Sequence, residues 1–275
     1  MPELPEVENV RRTLEKNILN KKINVVNVFF SKFLKNSTVE EFKKKLIGNE
    51  FLSVERHAKY LILKTKNDVF ISHLRMEGKY FYTKKEDLEN FKEHKHILFS
   101  IGFENGDFLF YHDVRKFGTI DIYSKNEFSI KKQLSHVAAE PWDIDFNIFF
   151  NKINKKNTEI KKTLLDQSII SGLGNIYVDE VLFKSKVSPL RSSKTITKKE
   201  ARLLLDNSRK ILKKATEMGG TTIRTFSYDH FKGGTYQSEL LVYSRGGLEC
   251  KVCKNKLLKT KVGGRGTVYC NKCQL

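Results

Sequence analysis

The sequence predicts a multidomain α+β protein with a β-rich N-terminal part, a helical middle and a C-terminal zinc ribbon. Three observations carry this. Short runs rich in Val, Ile, Phe, Tyr and Leu recur between residues 23 and 123, separated by turn signals. From residue 146 the apolar period changes to three and four residues. All four cysteines lie in the last 26 residues, as Cys250-x2-Cys253 and Cys270-x2-Cys273 separated by sixteen residues.

The chain opens Met1-Pro-Glu-Leu-Pro-Glu-Val-Glu8. Val7, Val10, Leu14 and Ile18 then fall on one helical face. Pro5 suits a first helical turn, and Glu6 and Glu8 complement the positive end of the helix dipole. Pro2 has a second reading. With Met1 removed it is a secondary amine beside Glu3, able to condense with an aldehyde-like carbon to a cationic iminium. Spacing alone favours the helix start.

Strands are expected at 23–30, 51–66, 68–76, 79–83, 96–103, 107–113 and 118–123, with a short helix at 39–46. Runs at this spacing fit an antiparallel sandwich or barrel. Polar clusters interrupt them: Lys59 falls inside a strand signal, His73 to Gly78 ends another, and Asp113 to Gly118 follows a third. Each is first a solvated strand end. Arg115 beside Phe117, with Met76, also fits a wedge that enters a base stack.

Periodicity fades over 125–146, which marks a linker between a domain at 1–124 and a helical one at 147–240. Helices are expected at 146–155, at 158–168 with Thr158 as cap, after Ser171-Gly-Leu-Gly-Asn175 with Asn175 as cap, and at 197–217. Exposed amides at the third of these helix starts offer a phosphate site. The Gly- and Thr-rich stretch from Gly219 to Thr235 reads as a mobile loop.

Residues 241–275 hold the ribbon. Cys250, Cys253, Cys270 and Cys273 have the spacing of a four-thiolate structural Zn2+ site with no open position. A pair of disulfides needs an oxidising compartment, and the sequence opens on no signal peptide, so zinc is favoured. Gly263, Gly264 and Gly266 around Arg265 suggest a tight turn that aims one guanidinium outward.

The chain has 275 residues, with 51 Lys and Arg against 32 Asp and Glu, a net charge of +19. An excess this large points to nucleic acid as the partner. No apolar run reaches the length of a membrane helix, so the expectation is a soluble intracellular protein that binds no membrane.

Together these segments resemble the formamidopyrimidine-DNA glycosylase family of bacteria. The likeness runs through Pro2-Glu-Leu-Pro-Glu-Val-Glu8, Ala58-Lys-Tyr-Leu61, His73-Leu-Arg-Met76, Arg115-Lys-Phe-Gly118, Leu165-Asp-Gln167, Gly172-Leu-Gly-Asn-Ile-Tyr177 and Gly263-Gly-Arg-Gly-Thr267. The order of the seven is more specific than any one of them. The resemblance implies an N-terminal β-sandwich, a helix–two-turn–helix module and a zinc finger, with damaged double-stranded DNA bound between the domains. It implies a monomeric base excision repair enzyme of the cytoplasm, found at the nucleoid through its DNA. This is a glycosylase and abasic-site lyase acting on 8-oxoguanine and ring-opened purines. By the same resemblance Pro2 is the nucleophile and Glu3 the general acid and base. Lys59 and Arg265 are the proton donors of β- and δ-elimination. His73, His94, Arg115 and Asn175 contact DNA, Met76, Arg115 and Phe117 fill the gap left by the flipped base, and the Gly219–Tyr236 region caps the lesion.

The sequence departs from the family pattern at Lys116, Asn157 and Thr235, none of them a proposed catalytic group. Two alternatives accompany this reading. Endonuclease VIII shares the fold but usually has glycine where Leu4 stands, and lacks the Met76, Arg115 and Phe117 set. A non-catalytic zinc-dependent DNA-binding protein explains charge and ribbon, but not Pro2, Glu3 and Lys59 together.

Overall fold

The structure is a computed structural model and describes residues 1–90, 95–221 and 234–275. It divides into two compact units, Met1–Gln133 with Gly219–Gly234, and Leu134–Met218 with Thr235–Leu275.

The first unit opens with α1 (Leu4–Ile18), whose buried face is Leu4, Val7, Val10, Leu14 and Ile18. Pro5 lies in its first turn, where a missing N–H costs nothing. Among the described residues two antiparallel four-stranded sheets follow. One has the order β1 (Ile23–Val28), β6 (Ile97–Phe103), β7 (Phe108–His112), β5 (Lys79–Thr83). The other runs β2 (Ser53–His57), β3 (Tyr60–Lys64), β4 (Asp68–His73), β8 (Thr119–Ser124). Their inner faces share one core with α1: Val26, Phe99, Ile101, Leu109 and Tyr111 from the first sheet, and Val54, Leu61, Leu63, Phe70 and Ile120 from the second. This is the expected sandwich. α2 (Val39–Leu46) adds Phe42, whose ring meets Phe33, Phe70 and Phe99 edge-on, and the one-turn α3 (Ile130–Gln133) follows β8. Edge-on contact matches ring edge to ring face and adds to the burial.

One strand expectation is corrected. Residues 51–66 form two strands, and Lys59 sits in the two-residue turn between them, with His57 paired to Tyr60. Ala58 takes φ +53° there, so the turn has no glycine to announce it.

In the second unit α6 (Asn175–Lys184) is a central post, buried from Ile176 to Phe183. Around it lie α4 (Phe146–Asn154), α5 (Ile160–Leu165) and the amphipathic α7 (Lys198–Glu217). Two caps are corrected. α5 starts after Glu159, and the Thr158 hydroxyl donates to the Glu159 carboxylate instead of capping. Gly174 caps α6, and Asn175 is its first helical residue. The ribbon is the hairpin of β9 (Leu258–Val262) and β10 (Arg265–Tyr269).

Two buried acids on α6 seat the ribbon. Asp179 pairs with the fully buried Lys161 at 2.7 Å and accepts from Val268 N at 3.1 Å. Lys161 also donates to Gly266 O and Thr267 Oγ1, at 2.9 and 2.8 Å. Glu180 accepts the amides of Leu241, Val242 and Tyr243. Burial pushes the Asp179 carboxyl up to about 6 despite the opposing pull of Lys161. Breaking such a pair strands a charge in a dry interior. Lys161→Met is therefore expected to destabilise the second unit by ~3–5 kcal/mol. Urea unfolding read from Trp142, the only tryptophan, measures it. A change within error shows that Asp179 is satisfied without the lysine.

Candidate functional site

Three clusters are built from the predicted residues. The first surrounds the chain start. Pro2 is buried, and Glu3 and Glu6 are each 2% exposed. Glu3 is the residue before α1, and its N–H donates to Glu6 Oε2 at 2.9 Å in a capping box. The other Glu6 oxygen accepts from Thr221 N at 2.8 Å. Gly220 has φ +78°, and a Cβ there would come within 2.5 Å of that oxygen. Glu6 thus ties the start of α1 to the stem of the 219–234 segment. The chain amine, here on Met1, is lowered from its usual value by burial, while the charges of Glu3, Glu6 and Glu77 oppose that and Lys59 adds to it. All four charged side chains therefore act on the position where the chain begins. Lys59 is 5% exposed.

The second cluster is a pair of loops on Tyr111. In one, His73 accepts Arg75 N on Nδ1 at 2.9 Å, which leaves Nε2 as its donor nitrogen. Met76 is half-buried in the same loop. In the other loop Asp113 is fully buried, and its carboxylate accepts the amides of Arg115, Phe117 and Gly118 at 3.0, 2.9 and 2.7 Å. That leaves Phe117 52% exposed, with the Arg115 guanidinium 4.7 Å above its ring. Lys116, at φ +56°, places its ammonium 4.7 Å from the Phe30 ring. A Cβ at Gly78 or Gly118 would lie 2.2 or 1.8 Å from the Tyr111 hydroxyl, so both loops close on one buried ring. The structure brings Met76, Arg115 and Phe117 onto neighbouring loops.

The third cluster is in the second unit. Val262 pairs with Arg265 across a two-residue turn, Gly263 and Gly264, at φ +54° and +75°. Left-handed backbone at both positions is what glycine permits, and Arg265 stands exposed beside it. Asn175 Nδ2 donates to Gly266 O at 3.0 Å, which brings Asn175 to the arginine's strand.

The four cysteines hold their sulfurs within 4.8 Å of one another. The Cys250–Cys273 and Cys253–Cys270 separations are 4.0 and 3.4 Å. Four thiolates at about 2.3 Å from one zinc ion stand about 3.8 Å apart, so the donor set fits Zn2+. The Asn255 amide lowers the Cys253 thiol to about 7, while burial and the other sulfurs push Cys273 up to about 12. A dication would settle all four as thiolates.

His94 and residues 222–233 of the expected lesion cap lie outside the described residues. Among the described residues no helix is long and apolar enough to cross a membrane. Lys161, Asp179 and Glu180 were not singled out by sequence reasoning, which read Glu6 only as a partner of the helix dipole and Asp113 only as part of a solvated strand end. Asp179 and Glu180 did carry a signal, as adjacent acids inside the apolar run Ile176 to Phe183.

Family models cover most of the chain. Residues 1–120 match the formamidopyrimidine-DNA glycosylase N-terminal domain, 137–227 its H2TH domain, and 247–275 the zinc finger found in FPG and IleRS. The formamidopyrimidine-DNA glycosylase of Mycoplasma pneumoniae is 41% identical, over 100% of this chain and 99% of its own. That of Streptococcus pneumoniae serotype 4 is 42% identical with the same coverage. A Lactococcus lactis Fpg solved with DNA containing an abasic site is 38% identical, covers 100% of both chains and gives a TM-score of 0.91. A point mutant of the Lactococcus lactis protein, solved with DNA containing Fapy-dG, gives 0.91 at 39% identity and 99% coverage of both.

Proposed function

The chain belongs to the formamidopyrimidine-DNA glycosylase family, and from that we propose that it is a monomeric bifunctional DNA glycosylase and abasic-site lyase of base excision repair. Its substrates are 8-oxoguanine and formamidopyrimidines in duplex DNA, and its place is the cytoplasm. The observation that carries the reading is the setting of the chain's first residues: Pro2 is buried next to Glu3 and Glu6, each 2% exposed, Glu3 N–H donates to Glu6 Oε2 at 2.9 Å, and Lys59 is itself buried.

With Met1 removed, the Pro2 nitrogen lone pair attacks C1′ of the flipped nucleotide. The C1′–N bond to the damaged base breaks and its electrons leave with the base, which takes up a proton. The Pro2 N–H proton is lost, Glu3 gives a proton to the ring oxygen as the sugar opens, and the freed nitrogen lone pair forms the iminium to C1′. That cation acidifies the C2′ proton. Loss of that proton expels the 3′ phosphate, and a second elimination expels the 5′ phosphate. Lys59 supplies the proton of the first elimination and Arg265 that of the second. His73, Arg115 and Asn175 bind phosphate or base, with His94 joining them by family likeness. Met76, Arg115 and Phe117 fill the emptied stack. Zinc on Cys250, Cys253, Cys270 and Cys273 is structural.

Excision from a duplex with 8-oxoguanine opposite cytosine tests the substrate, beside a dihydrothymine duplex. The oxidised purine is expected to be released faster, and a faster dihydrothymine reaction would move the protein toward endonuclease VIII. Arg265→Ala is expected to weaken duplex binding and reduce the salt slope by about one. Titration between low and physiological salt measures this, and an unaltered slope rules out a phosphate contact at Arg265.

A further inference from the structure

One carboxylate on α1 gathers three arginines. Glu8 Oε1 accepts from Arg11 Nε at 3.1 Å and Arg12 Nε at 3.0 Å, and its Oε2 accepts from Arg56 Nε at 3.0 Å. Arg11 and Arg12 belong to α1 itself. Arg56 comes from β2, one residue before that strand ends. Its other arm is also occupied: Nη1 donates to Ala58 O at 3.0 Å. That carbonyl belongs to the peptide joining Ala58 to Lys59.

Ala58 is 1% exposed and held at φ +53°, a conformation an L-residue keeps only where its surroundings fix it. The Arg56 clamp on its carbonyl is one such constraint. The Arg56 and Glu8 side chains are only 12% and 14% exposed, so the contact is poorly screened by water. Burial alone would raise the Glu8 carboxyl. The hydrogen bond and charge of Arg56, with those of Arg11 and Arg12, hold it below its usual range.

We infer that Arg56, fixed by Glu8, is a positioning residue for Lys59. The chain Glu8–Arg56–Ala58 fastens the Lys59 turn to the same helix whose start carries Pro2 and Glu3. It therefore sets Lys59 relative to the nucleophile. A guanidinium suits this task because its rigid fork serves a carboxylate and a carbonyl at once, whereas an ammonium on a flexible stem has no such fork. The inference rests on the reading that Lys59 gives the proton of β-elimination.

The test uses a duplex with a preformed abasic site under single turnover. Two rates are read on one sample: imine formation, trapped with borohydride, and strand cleavage. Arg56→Met is expected to slow cleavage about 10–100-fold more than imine formation, the size of effect a small misplacement of a proton donor brings. Arg56→Lys, which keeps the charge without the fork, should behave alike. Glu8→Ala should shift the same ratio in the same direction, and it decides the matter if Arg56→Met does not fold. Lys59→Met sets the scale. If Lys59→Met cleaves slowly and the Arg56 and Glu8 variants keep the unaltered ratio, the inference falls while the role of Lys59 stands. Full recovery by Arg56→Lys overturns it as well, because charge alone would then suffice. If Lys59→Met itself keeps the unaltered ratio, the assignment of Lys59 fails and the inference with it.

Discussion

Protein freed of Met1 is expected to form a borohydride-reduced adduct with a duplex carrying 8-oxoguanine opposite cytosine, and protein that keeps Met1 to form none. The difference is one of kind. In the Met1-bearing chain the Pro2 nitrogen is an amide, whose lone pair is delocalised into the carbonyl and cannot attack C1′. Once Met1 is gone the same atom is a secondary amine. Its condensation product has no N–H to lose and stays cationic, which makes it both an electron sink and a target for hydride. Burial disfavours a cation where the chain begins, and three carboxylates, Glu3, Glu6 and Glu77, oppose that penalty. Low dielectric enlarges those attractions. Adduct yield should therefore follow the fraction of chains lacking Met1, read by intact mass on the same preparation. Equal yield from both forms would sink the Pro2 assignment. Mapping the adduct to Lys59 would move the nucleophile to that side chain. Pro2→Gly keeps an amine but loses the ring and the obligatory cation, and should lose most base excision.

Much of this architecture could be read from local pattern. Cysteine spacing located the metal site, because two short knuckles can surround one ion with little help from elsewhere. The turn before Arg265 was legible because Gly263 and Gly264 both take left-handed backbone, at φ +54° and +75°. The turn that carries Lys59 was not, for the opposite reason. Ala58 takes φ +53° without being glycine, so residues 51–66 read as one strand. Its carbonyl is held by Arg56, and Arg56 is fixed by Glu8 from 48 positions away, which no window of a few residues contains.

The buried charges escaped for a similar cause. Lys161 meets Thr267 across 106 positions of sequence, and Glu6 meets Thr221 across 215. In the sequence Lys161 is one lysine among many, beside Lys162 on the same helix. Only the fold shows that one is sealed from water and the other is not. Asp113 looked like the first residue of a solvated turn. It is the acceptor for three amides of the loop that exposes Phe117. Sequence named Phe117 and Arg265, which face outward, and missed the roles of Asp113 and Lys161, which hold their loops.

Removal of zinc by a chelator is expected to abolish specific duplex binding while leaving most of the helical signal in circular dichroism. The ribbon has little else to fold around. Its apolar cluster comprises Phe183, Val242, Cys250, Leu257, Val268 and Cys270, and two of these are the proposed ligands themselves. A lone two-stranded hairpin is marginal in water. A structural zinc site contributes ~10–16 kcal/mol near neutral pH, far more than those few side chains. Without the ion, four ionisable sulfurs within 4.8 Å of one another repel or must take up protons. The hairpin would keep its ties to α5 through Lys161 and to α6 through Asp179, but these grip Gly266, Thr267 and Val268, all on β10. Nothing in that set fixes β9 or the Gly263–Gly264 turn, and Arg265, the first residue of β10, takes its aim from that turn and from its pairing with Val262 on β9. Affinity, salt slope and strand cleavage should fall together and return when zinc is restored. If the metal-free protein binds with unchanged affinity and slope, the ribbon makes no phosphate contact. Binding would then rest on the first unit and the start of α6. If binding is lost together with the helical signal, zinc supports the second unit as a whole and Lys161, Asp179 and Glu180 depend on the ribbon they seat.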